Sequence, residues 1–521
     1  MGLIDKIRNL FRKGGVAMGM GQNLSKITDH PKINVDAHEY DRIDRDKLYF
    51  KGTFPDIKFS NTYGDPVKRP YVSLNMMQVV CRRLASLLYN EQSKVSVDTR
   101  KVTKGDGVPA TPADDEANDF VQSVLQANDF SKNFERYLES CLAMGGLAIR
   151  PYVDAETGSI KLAWIQAPNF YPLRSNTNDV SAAAIATPTT VTESGRTVYY
   201  TLLEFHEWHP AGYTITNELY RSEMKTEIGK QVPLGALYPE LADTASLPGF
   251  SRPLFVYLKP AGFNNKSLNS PLGIGVCDNA LTTLKQLNDA YDQFNWEVRN
   301  GQRKYAVPES MTDVTFIKGG HEGPKQTFDP DQNVFVQVPG NPDKMEVVDL
   351  TAPIRATDYV TSLNQFLKTL EMQVGLSAGT FSFDGQAVKT ATEVISENSM
   401  TYQTRNSHLT MVERAIKELV VSICELAEAT TIDGKSLYTG PIPTADQVAV
   451  DFDDGIFTDK GATADYWIKL QAAGLCTDWQ AIMHIQGVTE DRAKSIAAEI
   501  AGATADNQPD TNEGMFGDGD A

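Results

Sequence analysis

The chain holds 521 residues, 41% hydrophobic and 22% charged, an ordinary globular composition with material for three to four domains. Wholesale disorder is excluded. The 49 Lys and Arg stand against 67 Asp and Glu, a net charge of −18, which argues against binding nucleic acid by neutralising its phosphates but leaves room for handling DNA without gripping it.

Residues 1–34 read as an amphipathic helix followed by a linker. Leu3, Ile4, Ile7, Leu10 and Phe11 share one helical face, opposite Lys6, Arg8, Arg12 and Lys13. The run is too short and too charged for a signal peptide, and Lys6 stands where a myristoylation site needs Ser or Thr. It reads as a small helix docking on its own protein or on a neighbouring subunit; a membrane-surface helix is the other reading. No run of about 18 apolar residues is present to span a bilayer. Five scattered cysteines (Cys81, Cys141, Cys277, Cys424, Cys476) suggest neither a disulfide framework nor a zinc site and fit a reducing compartment.

A helix is predicted over 74–92, where Met77, Val80, Cys81, Leu84, Leu87 and Leu88 recur at helical spacing. A turn-rich break at 101–115 precedes a second helix over 115–144, stopped by Gly145-Gly146. The period then drops to two. Residues 147–153 and 160–165 form a predicted hairpin, 198–209 and 213–221 another, and 254–259 a further strand. The segment 174–197 carries no distinctive pattern.

The second half is built on apolar seams. Cys277, Ala280, Leu284, Leu287, Tyr291, Phe294 and Val298 alternate steps of three and four, and so do Val360, Leu363, Leu367, Leu370 and Val374. Leu409, Val412, Ile416, Leu419, Ile423 and Leu426 repeat the pattern. Such seams fit an antiparallel bundle within one subunit or parallel packing about an oligomeric axis, and the spacing does not choose. Between the first two lies a turn-rich module, 300–352, with a short strand over 333–338. Between the second and third lies a loop, 375–389, with three glycines and the aromatics Phe381 and Phe383. The third helix restarts at Thr390-Ala-Thr-Glu393, a capping box. An acidic strand over 448–454 and short helices over 458–474, 477–486 and 489–502 follow. The tail 503–521, with five acids and no base, reads as disordered.

Chemistry-bearing motifs mostly fail. Gly434-Lys435-Ser436 lacks a phosphate loop's first glycine, since position 429 is Ala. Gly273-Ile-Gly275 has Asp278 where a dinucleotide fingerprint needs Gly and reads instead as the approach to a helix. His206 and His209 lie three apart in a predicted strand and so point to opposite faces. His321-Glu322 has no second His four residues on, and Asp451, Asp453 and Asp454 lack the spacing of a calcium loop. No catalytic residue, metal site or cofactor is expected. The 300–352 module has five bases against eight acids, and 390–429 three against six. Both are wrong for clamping DNA, although weak repulsion suits a surface past which DNA slides.

The order of parts, with Leu74-Asn-Met-Met-Gln-Val-Val-Cys-Arg-Arg-Leu-Ala-Ser-Leu-Leu-Tyr-Asn-Glu-Gln92, Leu142-Ala-Met-Gly-Gly-Leu-Ala-Ile-Arg-Pro-Tyr152, Trp164-Ile-Gln-Ala-Pro-Asn-Phe-Tyr-Pro-Leu173 and Lys389-Thr-Ala-Thr-Glu-Val394, resembles the bacteriophage portal proteins, in particular those of siphophages of Gram-positive bacteria. The resemblance spans about 70–430. It implies an α+β portal fold: a wing at 35–265, stem helices at 266–299 and 353–374, a clip at 300–352, a tunnel loop at 375–389, a long helix at 390–430 and a crown at 431–502.

It further implies a non-enzymatic twelve-subunit ring at one capsid vertex of the virion, assembled in the host cytoplasm. Double-stranded DNA passes through such a ring during packaging and ejection, without sequence-specific contact. The implied partners are the terminase large subunit, a head-completion or adaptor protein, and the major capsid and scaffolding proteins, with no membrane. Phe381, Phe383, Asp384, Gln386 and Lys389 would face DNA, an ordinary solvated loop being the other reading of these five. Leu284, Leu287, Tyr291, Phe294, Leu363, Leu367 and Leu370 would pack the stem. The competing class is an α+β hydrolase using carboxylates or a bound metal, which predicts a monomer or dimer instead of a ring.

Overall fold

The computed structural model describes residues 23–60, 65–99, 116–301, 305–308, 335–338, 348–349, 351–382, 399–452, 460–486, 488 and 490–506, apart from isolated positions at 155, 177–178, 211 and 433. Its helices in chain order are α1 (Ala37–Lys51), α2 (Met76–Leu88), α3 (Glu116–Ala127), α4 (Phe130–Met144), α5 (Leu281–Asn300), α6 (Ala356–Gln373), α7 (Ser399–Ala429), α8 (Lys460–Ala472), α9 (Asp478–Gln486) and α10 (Glu490–Asp506). Among the described residues no helix is long and apolar enough to cross a membrane.

The expected single helix over 115–144 is two, broken at Asn128-Asp129. Asn128 serves the tertiary structure there: its Nδ2 donates to the Val124 and Ile160 carbonyls at 2.8 and 2.9 Å, and its Oδ1 accepts the Leu162 N–H at 3.0 Å. These bonds sew the helix junction to the hairpin Leu147–Val153/Ile160–Gln166, and Asp129 takes a left-handed conformation at φ +46°. Gly145 ends α4 at φ +86°, as its position predicts.

Among the described residues the larger sheet has seven strands. Its main path runs Asn23–Leu24, Gly229–Val232, Gly212–Ser222, Arg196–His209, Val180–Glu193 and Phe170–Ser175, with Thr244–Leu247 also paired to Gly212–Ser222. The fourteen-residue strand Val180–Glu193 fills the stretch that had no distinctive pattern. Its Ala182-Ala-Ala half is weak in β-propensity, and pairing on both sides overrides that preference. Residues 23–34 are not a linker. Leu24, His30 and Ile33 are buried, and Leu24 and Ile33 pack with Tyr171, Leu203, Phe205 and Tyr220 on one face of this sheet.

The main core joins α2, α3 and α4 to the small sheet Val256–Leu258/Leu147–Val153/Ile160–Gln166 and to α7. α7 is buried all round from Leu419 to Ala427 and packs against α2, α3 and that small sheet. All three seams contribute to this core: Leu284 and Leu287 of α5 and Leu367, Leu370 and Val374 of α6 belong to the same buried cluster as Val412, Ile416, Leu419, Ile423 and Leu426 of α7. The segment after α7 also joins this core: Tyr438 and Val448 are buried, and Val448–Asp451 pairs antiparallel with Lys94–Val97. α8–α10 follow as a further helical run. α10 continues to Asp506, so 503–506 are helical, whereas 507–521 and the N-terminal helix over 1–13 lie outside the described residues.

α1 is fixed to the start of α5 by a buried ionic cluster. Arg42 reaches Glu39 at 3.1 Å, Asp46 at 3.4 Å and the Gly273 carbonyl at 2.9 Å, while Arg45 holds Asp278 at 2.6 Å. Asp46 Oδ1 and Asp278 Oδ2 have no hydrogen-bond partner among the described residues. Burial, then the facing Asp278, push the Asp46 carboxyl up to about 7.

Candidate functional site

α5 and α6 form an antiparallel pair: the Phe294 and Tyr359 rings meet at a tilt with centroids 5.3 Å apart, and Arg355 holds Glu297 with two nitrogens at 3.1 and 2.7 Å. Bonds from Arg355 hold the Glu297 carboxyl down at about 2. Of the seam residues, Leu284, Leu287, Leu367 and Leu370 are buried, whereas Tyr291, Phe294 and Leu363 are half-buried. At the far end Val298 and Val360 are 46% and 47% exposed, and Ile354 is exposed beside them. The pair thus opens from a dry base to an apolar tip. Past that tip, Tyr305–Pro308 pairs parallel with Phe335–Val338 and antiparallel with Val348–Asp349, a small sheet inserted between the two helices. The strand expected over 333–338 is part of it.

At the other end of α6, the chain leaves the helix into the loop 375–382 and is held there by Glu371. This side chain is fully buried on the last turn of α6. Its carboxylate accepts the N–H groups of Gly379 at 3.0 Å, of Phe381, and of Ser382 at 2.8 Å, with the Ser382 hydroxyl at 3.3 Å. A carboxylate with this many donors is a strong local organiser. Two residues into the loop, Ser377 meets Thr401 near the start of α7. The Ser377 N–H donates to Thr401 Oγ1 at 2.9 Å, and the Thr401 N–H donates to Ser377 Oγ at 3.3 Å. One turn on, buried Arg405 donates to the Leu87 carbonyl at 2.7 Å, tying α7 to α2. Thr401 and Arg405, polar residues near the start of α7, are buried in making these bonds.

Phe381, read from the sequence as an exposed aromatic, is half-buried and packs against the main core. Its backbone N–H sits on Glu371, which turns the ring inward. Phe383, Asp384, Gln386 and Lys389, and the Thr390/Glu393 capping box, lie outside the described residues. Sequence reasoning missed Glu371, Ser377, Thr401 and Arg405. The available signal was a lone acid ending an apolar seam just before a loop with three glycines, whose free N–H groups need an acceptor.

The failed motifs are placed as follows. Gly434, at φ +80°, sits in the turn between the paired strands Thr431–Ile432 and Lys435–Ser436. Gly273 lies backbone-to-backbone against Gly145: a Cβ on Gly273 would fall on the Gly145 carbonyl oxygen, and one on Gly145 would lie 2.6 Å from the Gly273 carbonyl oxygen. That glycine serves close packing. His206 is buried with Nδ1 2.8 Å from the Tyr213 hydroxyl, and His209 is exposed, so the two do point apart. Asp451 ends a strand; Asp453, Asp454, His321 and Glu322 lie outside the described residues. Among the described residues no group of three His, Cys, Asp or Glu is placed to hold a metal.

The chain matches the model of the phage portal protein family, SPP1 Gp6-like, over residues 29–506, and it belongs to that family. The protein is accordingly a structural, non-enzymatic component of the virion, and the hydrolase reading is withdrawn. No curated protein matches the chain. Similar solved structures include the virion of a native gene transfer agent particle (10% identity, 86% of this chain and 93% of that chain covered, TM-score 0.43). Two others are the neck of an empty particle computed with C6 symmetry (10%, 86% and 93%, TM-score 0.43) and the neck of a native particle computed with C12 symmetry (10%, 85% and 98%, TM-score 0.41).

Proposed function

We propose that twelve copies of the chain form a ring at the single portal vertex of a phage capsid, through which DNA enters on packaging and leaves on ejection. In this reading the sheet-rich part within 35–265 is the wing, 266–299 and 353–374 are the stem, and 300–352 is the clip. The stretch 375–389 is the tunnel loop, the helix within 390–430 leads away from it, and the three last helices form the crown. The terminase large subunit docks during packaging and a head-completion or adaptor protein afterwards, while major capsid and scaffolding proteins surround the ring.

The observation that supports this reading best is the α5–α6 pair, whose exposed tip residues Val298, Ile354 and Val360 offer apolar surface for a neighbouring copy to cover. The charge agrees: −18 per chain becomes about −216 over twelve copies, which suits a low-friction conduit for DNA more than a clamp. Light scattering of the purified protein should give twelve times 57.4 kDa, about 690 kDa, and electron microscopy should show annular particles. A stable monomer or dimer at high concentration and virion-like salt overturns the ring.

The tunnel assignment takes Phe383, Asp384, Gln386 and Lys389 as the DNA-facing residues, with Phe381 at the anchored root of the loop. Deleting 384–388 leaves the Glu371 anchor intact and should spare ring assembly while impairing packaging or retention of DNA. Normal packaging and retention by that variant removes the assignment.

A further inference from the structure

A cleft of about 310 Å³ lies between the middle of α7 and the strand Val256–Leu258, far along the chain from the loop anchor. It is within the size range of ligand sites. Its lining is apolar at Phe255, on the strand side, and at Met411 of α7, and carries the cations Arg252, Lys259 and Arg414 with the carboxylates Asp179 and Glu418. Arg414 is engaged by Asp179 at 2.8 Å and Glu418 at 2.9 Å. Arg252 is not so placed: its Nε is buried without a hydrogen-bond partner among the described residues. Burial pushes the Lys259 amine down from its ordinary range, a cost that an incoming carboxylate would offset.

The occupant must bring negative charge and an apolar side chain together. A free phosphate makes no use of Phe255 and Met411. A DNA duplex is too wide for the cleft and would meet the carboxylates of Asp179 and Glu418 in its lining. The segment beyond α10 has the required composition. Residues 507–521 hold four acids (Asp510, Glu513, Asp518, Asp520), no Lys or Arg, and one apolar pair, Met515-Phe516, between Gly514 and Gly517. Fifteen residues reach up to about 50 Å when extended.

We propose that the chain's own segment 507–521 docks in this cleft, with Phe516 against Phe255 and Met411 and the neighbouring acids on Arg252 and Lys259. The docking is independent of the ring and of the tunnel loop. It would make the segment a built-in occupant of the groove between α7 and the small sheet.

The test uses the chain ended after Asp506 and a fluorescent synthetic peptide of residues 507–521. Anisotropy should report saturable binding that weakens severalfold as salt rises from about 50 to about 500 mM. Arg252→Gln with Lys259→Gln should lose at least tenfold. Should that variant fold poorly, the peptide itself carries the test: Phe516→Ala, or amides at all four acids, should each lose tenfold on the unaltered truncated chain. Absent binding, or equal binding by these peptides, overturns the proposal. So does displacement by inorganic phosphate or a short DNA duplex at the peptide's own potency, which would make the cleft a general anion site. In the full chain, a photo-crosslinker at position 516 should join residues 252–259 or 411–418 within one chain. Attachment elsewhere, or a product of twice the chain mass, also overturns it.

Discussion

Arg69 grips Asp292 with both terminal nitrogens, at 2.8 and 2.6 Å, and the Val72 N–H adds a third bond to the same carboxylate at 3.0 Å. The pair joins the hairpin Ile57–Ser60/Pro66–Arg69 to the middle of α5, and the Arg69 guanidinium also lies over the Trp296 ring at 4.7 Å. Burial works to raise the Asp292 carboxyl, but the bonds from Arg69 and Val72 outweigh it and hold the group below the usual carboxylate range. This stabilisation is therefore present above the ordinary carboxylate pKa and is lost as pH falls through the lowered one.

Asp292→Ala leaves a largely buried guanidinium without its partner and should cost about 3 kcal/mol in chemical denaturation at pH 7. A double-mutant cycle with Arg69→Ala should recover most of that as coupling. Additive losses would mean that the two side chains act separately.

Glu371→Ala removes the acceptor for three backbone N–H groups and a hydroxyl. Hydrogen exchange at 379–382 should accelerate by more than tenfold, with a stability loss of about 3 kcal/mol. The amides of α2 should change little by comparison. Unchanged exchange in the loop would show that Ser377 and Thr401 hold it without the carboxylate.

The Asp46 cluster predicts a pH dependence of the opposite sense to Asp292. Its carboxyl stands at about 7 in the fold, against 3.8 for the ordinary group, under burial and the facing Asp278, with Arg42 and Arg45 opposing and Glu39 adding to the rise. A raised acid contributes stability below its unfolded pKa and loses it as pH rises through the folded one. The difference in stability between the parent and Asp46→Asn should therefore shift against the parent from about pH 4 to about pH 7. A difference that stays flat across that window would place the proton elsewhere in the cluster.

His408 is buried on α7, and its Nδ1 accepts the Ala261 N–H at 3.0 Å. Burial holds its pKa down at about 4, so it stays neutral through the physiological range. The unfolded chain takes up a proton there below about 6.5 and the fold does not, so the parent should lose stability as pH falls from about 6.5 towards 4, and His408→Gln should flatten that part of the profile, measured as thermal midpoint against pH. Parallel profiles for parent and variant across that window would show that the imidazole takes up its proton in the fold as well.

Much of the fold was legible because its signals are local. The hairpin at Leu147–Val153 and Ile160–Gln166 and the long strands Arg196–His209 and Gly212–Ser222 announce themselves by alternation. α5 and α6 do so by their seams, and α4 by the glycine that ends it. Val180–Glu193 was not legible, since alanine and threonine carry little strand signal until neighbouring strands pair with them. The break at Asn128 was hidden for a similar reason: its bonds go to Ile160 and Leu162, more than thirty residues away. The loop anchor was least legible. Glu371 is one of 67 acidic residues, and its one local mark, a place at the end of an apolar seam before a glycine-bearing loop, does not by itself tell a buried carboxylate from a solvated one. Only the fold, by bringing Gly379 and Ser382 back over the end of α6, gives it that role.

The contact between Gly145 and Gly273 limits what the chain can become. Gly145 needs its hydrogen at Cα twice over, for its positive φ and for the carbonyl it faces, and Gly273 needs it for the same neighbour. Any side chain at either place must push the end of α4 away from the strand of chain that leads into α5, and overpacking of this kind costs about 1–3 kcal/mol or more. Gly273→Ala in a library of random variants should be among the first to vanish under selection for folding. The two positions form a single coupled letter of the sequence, since neither can gain a side chain while the other keeps its place.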